Sequence, residues 1–485
     1  MLLGFFEVWQ PTCATTAHNA YGGGWADLKG EDTIAAIATG MGDAGVGVIR
    51  VSGPDAVALG ERAFRPRRGS PLGSRRSHSM VYGVMIDASG ATVDEGLAVV
   101  MRGPHSFTGE DVLELHCHGG QVAVRRVLDA TLGAGARLAE PGEFTRRAFL
   151  HGRMDLAQAE SVIDIIQAKT ERAMDAAVHQ LRGELSSAVR EIRERLLAVS
   201  AHLEADIDFP ELDLEVQTQD QVDAGCDWCL ARIGGLLAGA HQGKLLREGL
   251  QVVLAGRTNV GKSSLLNRLV RENRAIVTEI PGTTRDVIAE WVNIRGLPVV
   301  LADTAGIRET KDVVEQLGVD RSRAMLERAD LILLVVDAAD GLTDEDRDLI
   351  ALLPAGKPCF GIANKIDIGA GFDMVQLTEA LGGGRVYPVS AQSGSGVDEV
   401  EEAIAGFAGV VDKEEFVLAN ARQAEALRRA AAHLEAAQAT RRTGFGSDMI
   451  SIDVRSAWVA LGEITGESVG EDLLDQIFSR FCIGK

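Results

Sequence analysis

The sequence predicts a multidomain protein of α/β and all-α parts: an N-terminal α+β domain, a discontinuous helical domain, and an α/β domain inserted between the two helical halves. Three observations predict it. Short β-rich segments crowd residues 31–150, apolar residues recur at three- and four-residue steps from Leu181 to Leu203 ahead of the centre and the chain turns helical again after Phe416, and strand and helix patterns alternate over 248–410. A length of 485 residues allows about three domains, each able to bury a core.

Residues 1–30 carry Trp9, Tyr21, Gly22-Gly23-Gly24 and Trp25 without periodicity and read as a poorly ordered extension. In the α+β domain, strands are expected at Thr33–Ala38, Val46–Val51, Met80–Ile86, Leu97–Met101 and Val112–His116, with a helix at Gln121–Leu132. The first helical part is placed at 151–247. Composition shifts at Asp155: glycine becomes rare, and Leu181, Leu185, Val189, Ile192, Leu196, Val199 and Leu203 form one buried stripe. Asp208-Phe209-Pro210 stops that run, because proline cannot continue a helix, and a further helix is expected from about Gln221 to Leu246.

The inserted domain, 248–410, has strands at Leu250–Leu254, Val287–Ile294, Val299–Leu301, Leu331–Val336, Cys359–Ala363 and Val386–Val389. Their alternation with helices implies a mainly parallel sheet covered on both faces. Helices at Ala421–Arg442 and Gly470–Phe481 make the second helical part, 411–485. Neither half makes a full core alone, so the two should pack together.

Composition excludes several classes. Hydrophobic residues at 46% and charged at 25% are ordinary for a soluble protein. No apolar run approaches the ~18 residues that cross a bilayer, so no membrane partner is expected. The apolar start Met1-Leu2-Leu3-Gly4-Phe5-Phe6 has neither a basic lead nor an export cleavage site. Six scattered cysteines make no disulfide framework, and the chain reads as cytoplasmic. A net charge of −21 argues against broad, salt-driven nucleic-acid binding by this chain alone. Six arginines between Arg62 and Arg76 run against that balance; they read as a solvated loop, with phosphate contact the lesser reading.

The chemistry is carried by LQVVLAGRTNVGKSS, residues 250–264, where a strand runs into GxxxxGK[ST]. Glycines let successive N–H groups face phosphate oxygens, Lys262 adds a cation, Ser263 offers a hydroxyl to Mg²⁺, and the next helix aims its positive end at the anion. Asn259, Val260, Gly261, Lys262, Ser263 and Ser264 are therefore phosphate-site candidates. Gly282-Thr283-Thr284 supplies a threonine, Thr284, for Mg²⁺ and the γ-phosphate. Asp303-Thr304-Ala305-Gly306 follows a strand, where Asp303 can hold Mg²⁺ through water and Gly306 N–H can meet the γ-phosphate. Asn364-Lys365-Ile366-Asp367 ends another strand, and the Asp367 carboxylate can accept from guanine N1–H and N2–H₂, which selects GTP over ATP. Ser390-Ala391 fits the loop behind guanine O6. Each tetrapeptide alone is usually a turn; four in this order, each at a strand's C-terminal end, specify a Ras-like GTPase domain. Ras-type sites place a water-orienting glutamine after the DxxG glycine. Here that position is Ile307, so the polar group must come from elsewhere.

With GRTNVGKSSLLN, PGTTRD, DTAGIRE and NKID stand Ser106-Phe107-Thr108-Gly109-Glu110-Asp111, Pro141-Gly142-Glu143-Phe144, Met154-Asp155-Leu156-Ala157-Gln158-Ala159-Glu160 and the terminal Phe481-Cys482-Ile483-Gly484-Lys485. Over residues 31–485 the chain resembles the MnmE (TrmE) tRNA-modification GTPase family. That resemblance implies a homodimer formed through a folate-binding N-terminal domain. It implies a heterotetramer with the FAD-dependent MnmG (GidA) partner, tRNA bound mostly through that partner, and an aminomethyl or carboxymethylaminomethyl group added at C5 of the wobble uridine. The one-carbon donor would be 5-formyltetrahydrofolate or another tetrahydrofolate. K⁺, bridging two nucleotide domains, would lie near Asn259, Thr278, Ile280 and Thr283, with Thr278 and Gly282 also lining the nucleotide. The water-positioning carboxylate falls at Glu315, which by residue pattern alone is one acid in a solvated stretch. Folate positions carry over as Arg50, Glu114, Arg153 and Lys485. Arg153 stands where the family often has lysine, and Gly40-Met41-Gly42-Asp43-Ala44-Gly45 lacks the family's arginine.

Three weaker features remain. Cys226-Asp227-Trp228-Cys229 has no second pair and reads as two helix cysteines rather than zinc ligands. His116-Cys117-His118 puts both histidines on one strand face, read as packing at the folate rim. Cys482 reads as functional in the modification chemistry, against a small buried hydrophobe as its alternative. The rival function is a regulatory switch GTPase in ribosome assembly, which would share the phosphate loop but not the folate-type domain or the tail.

Overall fold

The computed structural model describes residues 32–40, 42–208, 215–273, 289–303, 323–368, 372–409, 420–443 and 446–485. They fall into two compact units, one holding the chain to Met154 together with Leu474–Lys485, the other Asp155–Leu473.

In the first unit, strands β1 (Ile34–Ile37), β2 (Ala44–Ser52), β3 (Phe64–Pro66), β4 (Ser79–Ile86), β5 (Thr92–Met101), β6 (Val112–Gly119) and β7 (Arg137–Leu138) form a seven-stranded sheet of order β3-β4-β5-β6-β2-β1-β7. The β2, β4, β5 and β6 ladders are antiparallel, so alternate residues face opposite ways. Val51, Ile49, Leu113, Leu115, Val81 and Met85 point to one face and are buried beneath α1 (Ala56–Ala63) and α2 (Gln121–Gly133). The strand expected at Leu97 begins earlier, at Thr92. The arginine-rich stretch is only partly loop, since Arg62 lies in α1 and Arg65 in β3. Two short helices, α1 and α3 (Glu143–Leu150), had no place in the sequence reading. Helices this short give few turns over which a 3.6-residue period can show.

The second unit opens at Asp155, whose side chain accepts from Gln158 N at 2.9 Å while Gln158 Oε1 accepts from Asp155 N at 3.0 Å. This capping box starts α4 (Leu156–Gln167) and accounts for the compositional break at that residue. Helices α5 (Glu171–Leu181), α6 (Glu184–Asp208), α7 (Glu215–Ala238) and α8 (Ala240–Glu248) follow. The single helix expected over Gln221–Leu246 is two, broken at Gly239, with Gly234 and Gly235 further lowering helix propensity just before the break. Leu181, expected in the same stripe, instead ends α5 ahead of the turn at Gly183 and is only half-buried, whereas Leu185, Val189, Ile192, Leu196, Val199 and Leu203 of α6 are buried against the C-terminal helices through Leu427, Leu434, Val454 and Leu461. Glu160 ties the two sequence-distant halves, accepting from Arg422 Nε at 2.9 Å, Arg422 Nη2 at 2.7 Å and Gln423 Nε2 at 2.9 Å.

Between the halves runs a six-stranded sheet built from β8 (Leu250–Ala255), β9 (Ala289–Ile294), β10 (Leu297–Asp303), β11 (Leu331–Asp337), β12 (Cys359–Asn364) and β13 (Val386–Val389), in order β13-β12-β11-β8-β10-β9. Only β9 is antiparallel. Alternation along β8 and β11 sends Val252, Leu254, Leu333 and Val335 to one core and Val253, Ala255, Ile332 and Leu334 to another, so both faces are covered. Helix α9 (Lys262–Asn273) follows β8, and α10 (Asp344–Ala351), α11 (Met374–Ala380) and α12 (Val397–Phe407) connect or follow the later strands.

At the C-terminus, α13 (Ala421–Arg442) matches expectation, whereas α14 (Ser447–Thr465) was missed although Ile450, Val454, Ala457, Leu461 and Ile464 carry its buried stripe. The last helix, α15 (Glu471–Phe478), stops three residues short of the predicted Phe481. The tail beyond it groups with the first unit rather than with the helices.

Candidate functional site

The parallel order brings the C-terminal ends of β8, β10, β11, β12 and β13 side by side, and the nucleotide motifs leave from those ends. A side chain at Gly256 would fall against the Val335 carbonyl oxygen, and one at Gly261 (φ +95°) against Asn364 Nδ2, so the loop admits only glycine there. Asn259 adopts φ +66°, a conformation asparagine tolerates better than most residues. The buried Lys262 ammonium donates to the carbonyls of Gly256 at 2.8 Å and Arg257 at 2.7 Å, drawing the loop around itself. Ser263 and Ser264 lie in the first turn of α9, whose free N–H groups and dipole favour an anion. Val260 is buried beneath them.

Ser263 Oγ donates to Asp303 Oδ2 at 3.0 Å. This hydroxyl and carboxylate are hard oxygen donors at the loop's mouth, and they suit Mg²⁺ held partly through water. On the base side, buried Asn364 joins three loops: its Nδ2 donates to Val260 O at 2.8 Å, and its Oδ1 accepts from Ala391 N at 3.0 Å. Lys365, at φ +66°, reaches Asn259 O at 2.8 Å and Asp337 Oδ2 at 2.7 Å. Burial pulls the Asp337 carboxyl upward, yet the Lys365 hydrogen bond and charge outweigh it and hold it below the usual range. Asp367 sits exposed on the turn that follows, where a base edge can approach it. Ser390 is buried, with its hydroxyl accepting from Ser393 N at 3.1 Å. Thr278, Ile280, Gly282, Thr283, Thr284, Thr304, Ala305, Gly306 and Glu315 lie outside the described residues.

A second constellation sits in the first unit. Arg50 and Glu114 are directly opposed on β2 and β6, with Arg50 Nη2 at 2.9 Å from Glu114 Oε1. His116, two residues along the same face, places Nε2 at 3.3 Å from Glu114 Oε2. The His116 hydrogen bond, then the Arg50 charge, holds the Glu114 carboxyl below its usual range against the pull of burial. The Arg50 guanidinium lies 5.0 Å from the Phe107 ring centre and 5.9 Å from that of Phe144, and its buried Nη1 has no hydrogen-bond partner among the described residues. Lys485 is lowered first by burial and then by the Arg50 charge, with Glu114 and Cys482 opposing, so it belongs to the same cluster. Arg153 donates to Ser106 O at 2.9 Å, in the loop that carries Phe107.

The tail is docked by backbone. Gly142 N donates to Cys482 O at 3.4 Å, and Pro141 bridges to Ile483. Gly484 (φ +95°) lies against the Ile37 carbonyl with no room for a side chain. Cys482 itself is exposed, which removes the reading of it as a small buried hydrophobe. His116, Phe107 and Phe144 were absent from the expected site residues. Phe107 and Phe144 lie inside the quoted Ser106–Asp111 and Pro141–Phe144 motifs, but which residue each ring covers is decided by the fold. Cys226 and Cys229 are both buried in the helical core, with burial pushing their thiols up to about 11 and about 12. His118 pairs with Asp94 at 2.8 Å, away from the Glu114 contact of His116.

The family model of the MnmE helical domain matches residues 156–482, and that of the TrmE N-terminus, described as a GTP-binding protein, matches 33–153. A protein of Symbiobacterium thermophilum named tRNA modification GTPase MnmE is 64% identical over 456 residues, covering 94% of this chain and 100% of that protein. Its namesake in Geobacillus kaustophilus is 50% identical over 459 residues, covering 94% and 99%. The chain belongs to the MnmE (TrmE) family of tRNA modification GTPases.

Proposed function

We propose that this GTPase works with an FAD-dependent MnmG (GidA) partner to install an aminomethyl or carboxymethylaminomethyl group at C5 of the wobble uridine of certain tRNAs. A tetrahydrofolate, 5-formyltetrahydrofolate or a relative, is the one-carbon donor. The observation that carries this reading is the meeting of Arg50, Glu114 and Lys485 beside Phe107 and Phe144. Two cations suit a folate glutamate tail, a carboxylate suits the N–H edge of a pterin, and Arg50 Nη1, without a partner among the described residues, is a donor in need of an acceptor. A ribosome-assembly switch accounts for the nucleotide loops alone and leaves this constellation unexplained.

GTP binds with its phosphates at Asn259–Ser264 and its base between Asp367 and the Ser390-Ala391 loop. Mg²⁺ would be held by Ser263 and Thr284, with Asp303 acting through water. K⁺ would lie near Asn259, Thr278, Ile280 and Thr283, where its charge would favour the meeting of two nucleotide domains and hydrolysis; equal rates in KCl and NaCl would remove that assignment. Self-association through the first unit is supported by Met80 and Tyr82, exposed at 59% and 51% on the open face of the sheet. Among the described residues no helix is long and apolar enough to cross a membrane.

Deletion of the gene should leave the wobble uridines of the substrate tRNAs without the C5 group, read by nucleoside analysis, and normal modification would sink the function. Gly484→Val tests the donor site. A side chain there meets the Ile37 carbonyl, so the tail and Lys485 should be displaced, with folate affinity falling on the order of tenfold or more as an ion pair is lost. Basal GTP turnover should not change, because the nucleotide loops belong to the other unit. Calorimetric titration with 5-formyltetrahydrofolate reads the first effect and phosphate release the second.

A further inference from the structure

Helix α9 begins at Lys262, on the phosphate side, and Arg268 lies six residues on, about 9 Å along the axis. Its guanidinium spans the helix and the base loop. Nη2 donates to Gln392 O at 2.7 Å, Nε to Ala391 O at 3.3 Å, and Nη1 to Glu272 Oε1, one turn along, at 3.2 Å. Gly394, at φ +91°, sits against the guanidinium, where even a methyl group would press on Nη2.

The other backbone N–H groups of this loop are already committed. Ser390 N donates to Ser395 O and Gly394 N to Ser390 O, each at 2.8 Å, and Ser393 N donates to Ser390 Oγ. Ala391 N donates to Asn364 Oδ1. Among the described residues, Gln392 N–H is the backbone donor of residues 390–395 without a partner. It shares a planar trans peptide with the Ala391 carbonyl, so the two point in opposite directions. A carbonyl drawn to Arg268 therefore turns the Gln392 N–H away from the helix, available to an acceptor.

We infer that Arg268 is a positioning residue for guanine: it holds the Ala391 and Gln392 carbonyls so that the Gln392 N–H meets the base O6. This rests on the assignment of the base to the 390–391 loop made above and adds the residue that orients it. Lysine would serve poorly, since one ammonium cannot match the two-pronged hold of a guanidinium.

The test compares release of GDP with release of 2-aminopurine riboside diphosphate, which has no oxygen at C6. Arg268→Met keeps the stem's bulk and removes the fork. GDP release should quicken on the order of tenfold, as when a charge-assisted hydrogen bond is lost, while the 2-aminopurine nucleotide leaves at the parental rate. Arg268→Lys should fall between, and it carries the same ratio should the methionine variant fail to fold. Parental GDP release in Arg268→Met, or equal acceleration of both nucleotides, overturns the inference. The loop assignment stands or falls separately, on the base preference of Asp367→Asn.

Discussion

Asp367→Asn is expected to exchange the nucleotide preference, with GTP weakened and xanthosine triphosphate favoured. A carboxylate accepts from guanine N1–H and N2–H₂, whereas an asparagine can donate to the oxygen that xanthine carries at C2. Sites that read a base by hydrogen bonds reject the wrong one strongly, because an unmatched polar group is left unpaired. The expected loss for GTP is on the order of 10²–10³-fold, within what such sites achieve. Asp367 is exposed on its turn and Asn364, three residues earlier, does the structural work of that loop, so the substitution should not disturb folding. Competition of the two triphosphates for the purified variant measures it. Undiminished GTP affinity would remove Asp367 from the base site.

The second large effect separates hydrolysis from modification. Glu315→Ala should keep GTP binding and lose hydrolysis by ~10²–10³-fold, the range for removal of a group that positions or deprotonates water. Ile307 stands where a polar group is needed, which is why an acid from another segment is required. Cys482→Ser should do the reverse, with phosphate release intact and the modified wobble uridine absent. Exposure of Cys482 sharpens that second test, since a thiol outside the core can be replaced without leaving a cavity. Wild-type modification in a folded Cys482→Ser protein would make the cysteine dispensable to the chemistry. Near-normal hydrolysis in Glu315→Ala would return Glu315 to the solvated surface.

Local physics was legible in the residues. Strand alternation, the stripe from Leu185 to Leu203 on α6 and the compositional break at Asp155 are written within a few positions of the chain, and so is the glycine pattern of the phosphate loop. The order of four motifs along one chain was enough to indicate guanine chemistry, because a parallel sheet delivers successive strand ends to one edge. Where the local signs were short or interrupted, the reading fell short, as at α1, α3 and the division of α7 from α8 at Gly239.

Only the tertiary structure decided what met across long separations. Arg50, Glu114 and Lys485 are distant in sequence, and no periodicity says that a strand pair and a chain terminus share one cluster. The terminus is there because Gly142 and Gly484 let backbone approach backbone, a fact about space rather than spacing. Glu160 binding Arg422 and Gln423, and Arg268 binding the carbonyls of Ala391 and Gln392, are of the same kind. By itself the sequence determined which elements form, because helix and strand formation depend on neighbours a few residues away. Which buried charge finds its partner depended on the packing that brings those elements together.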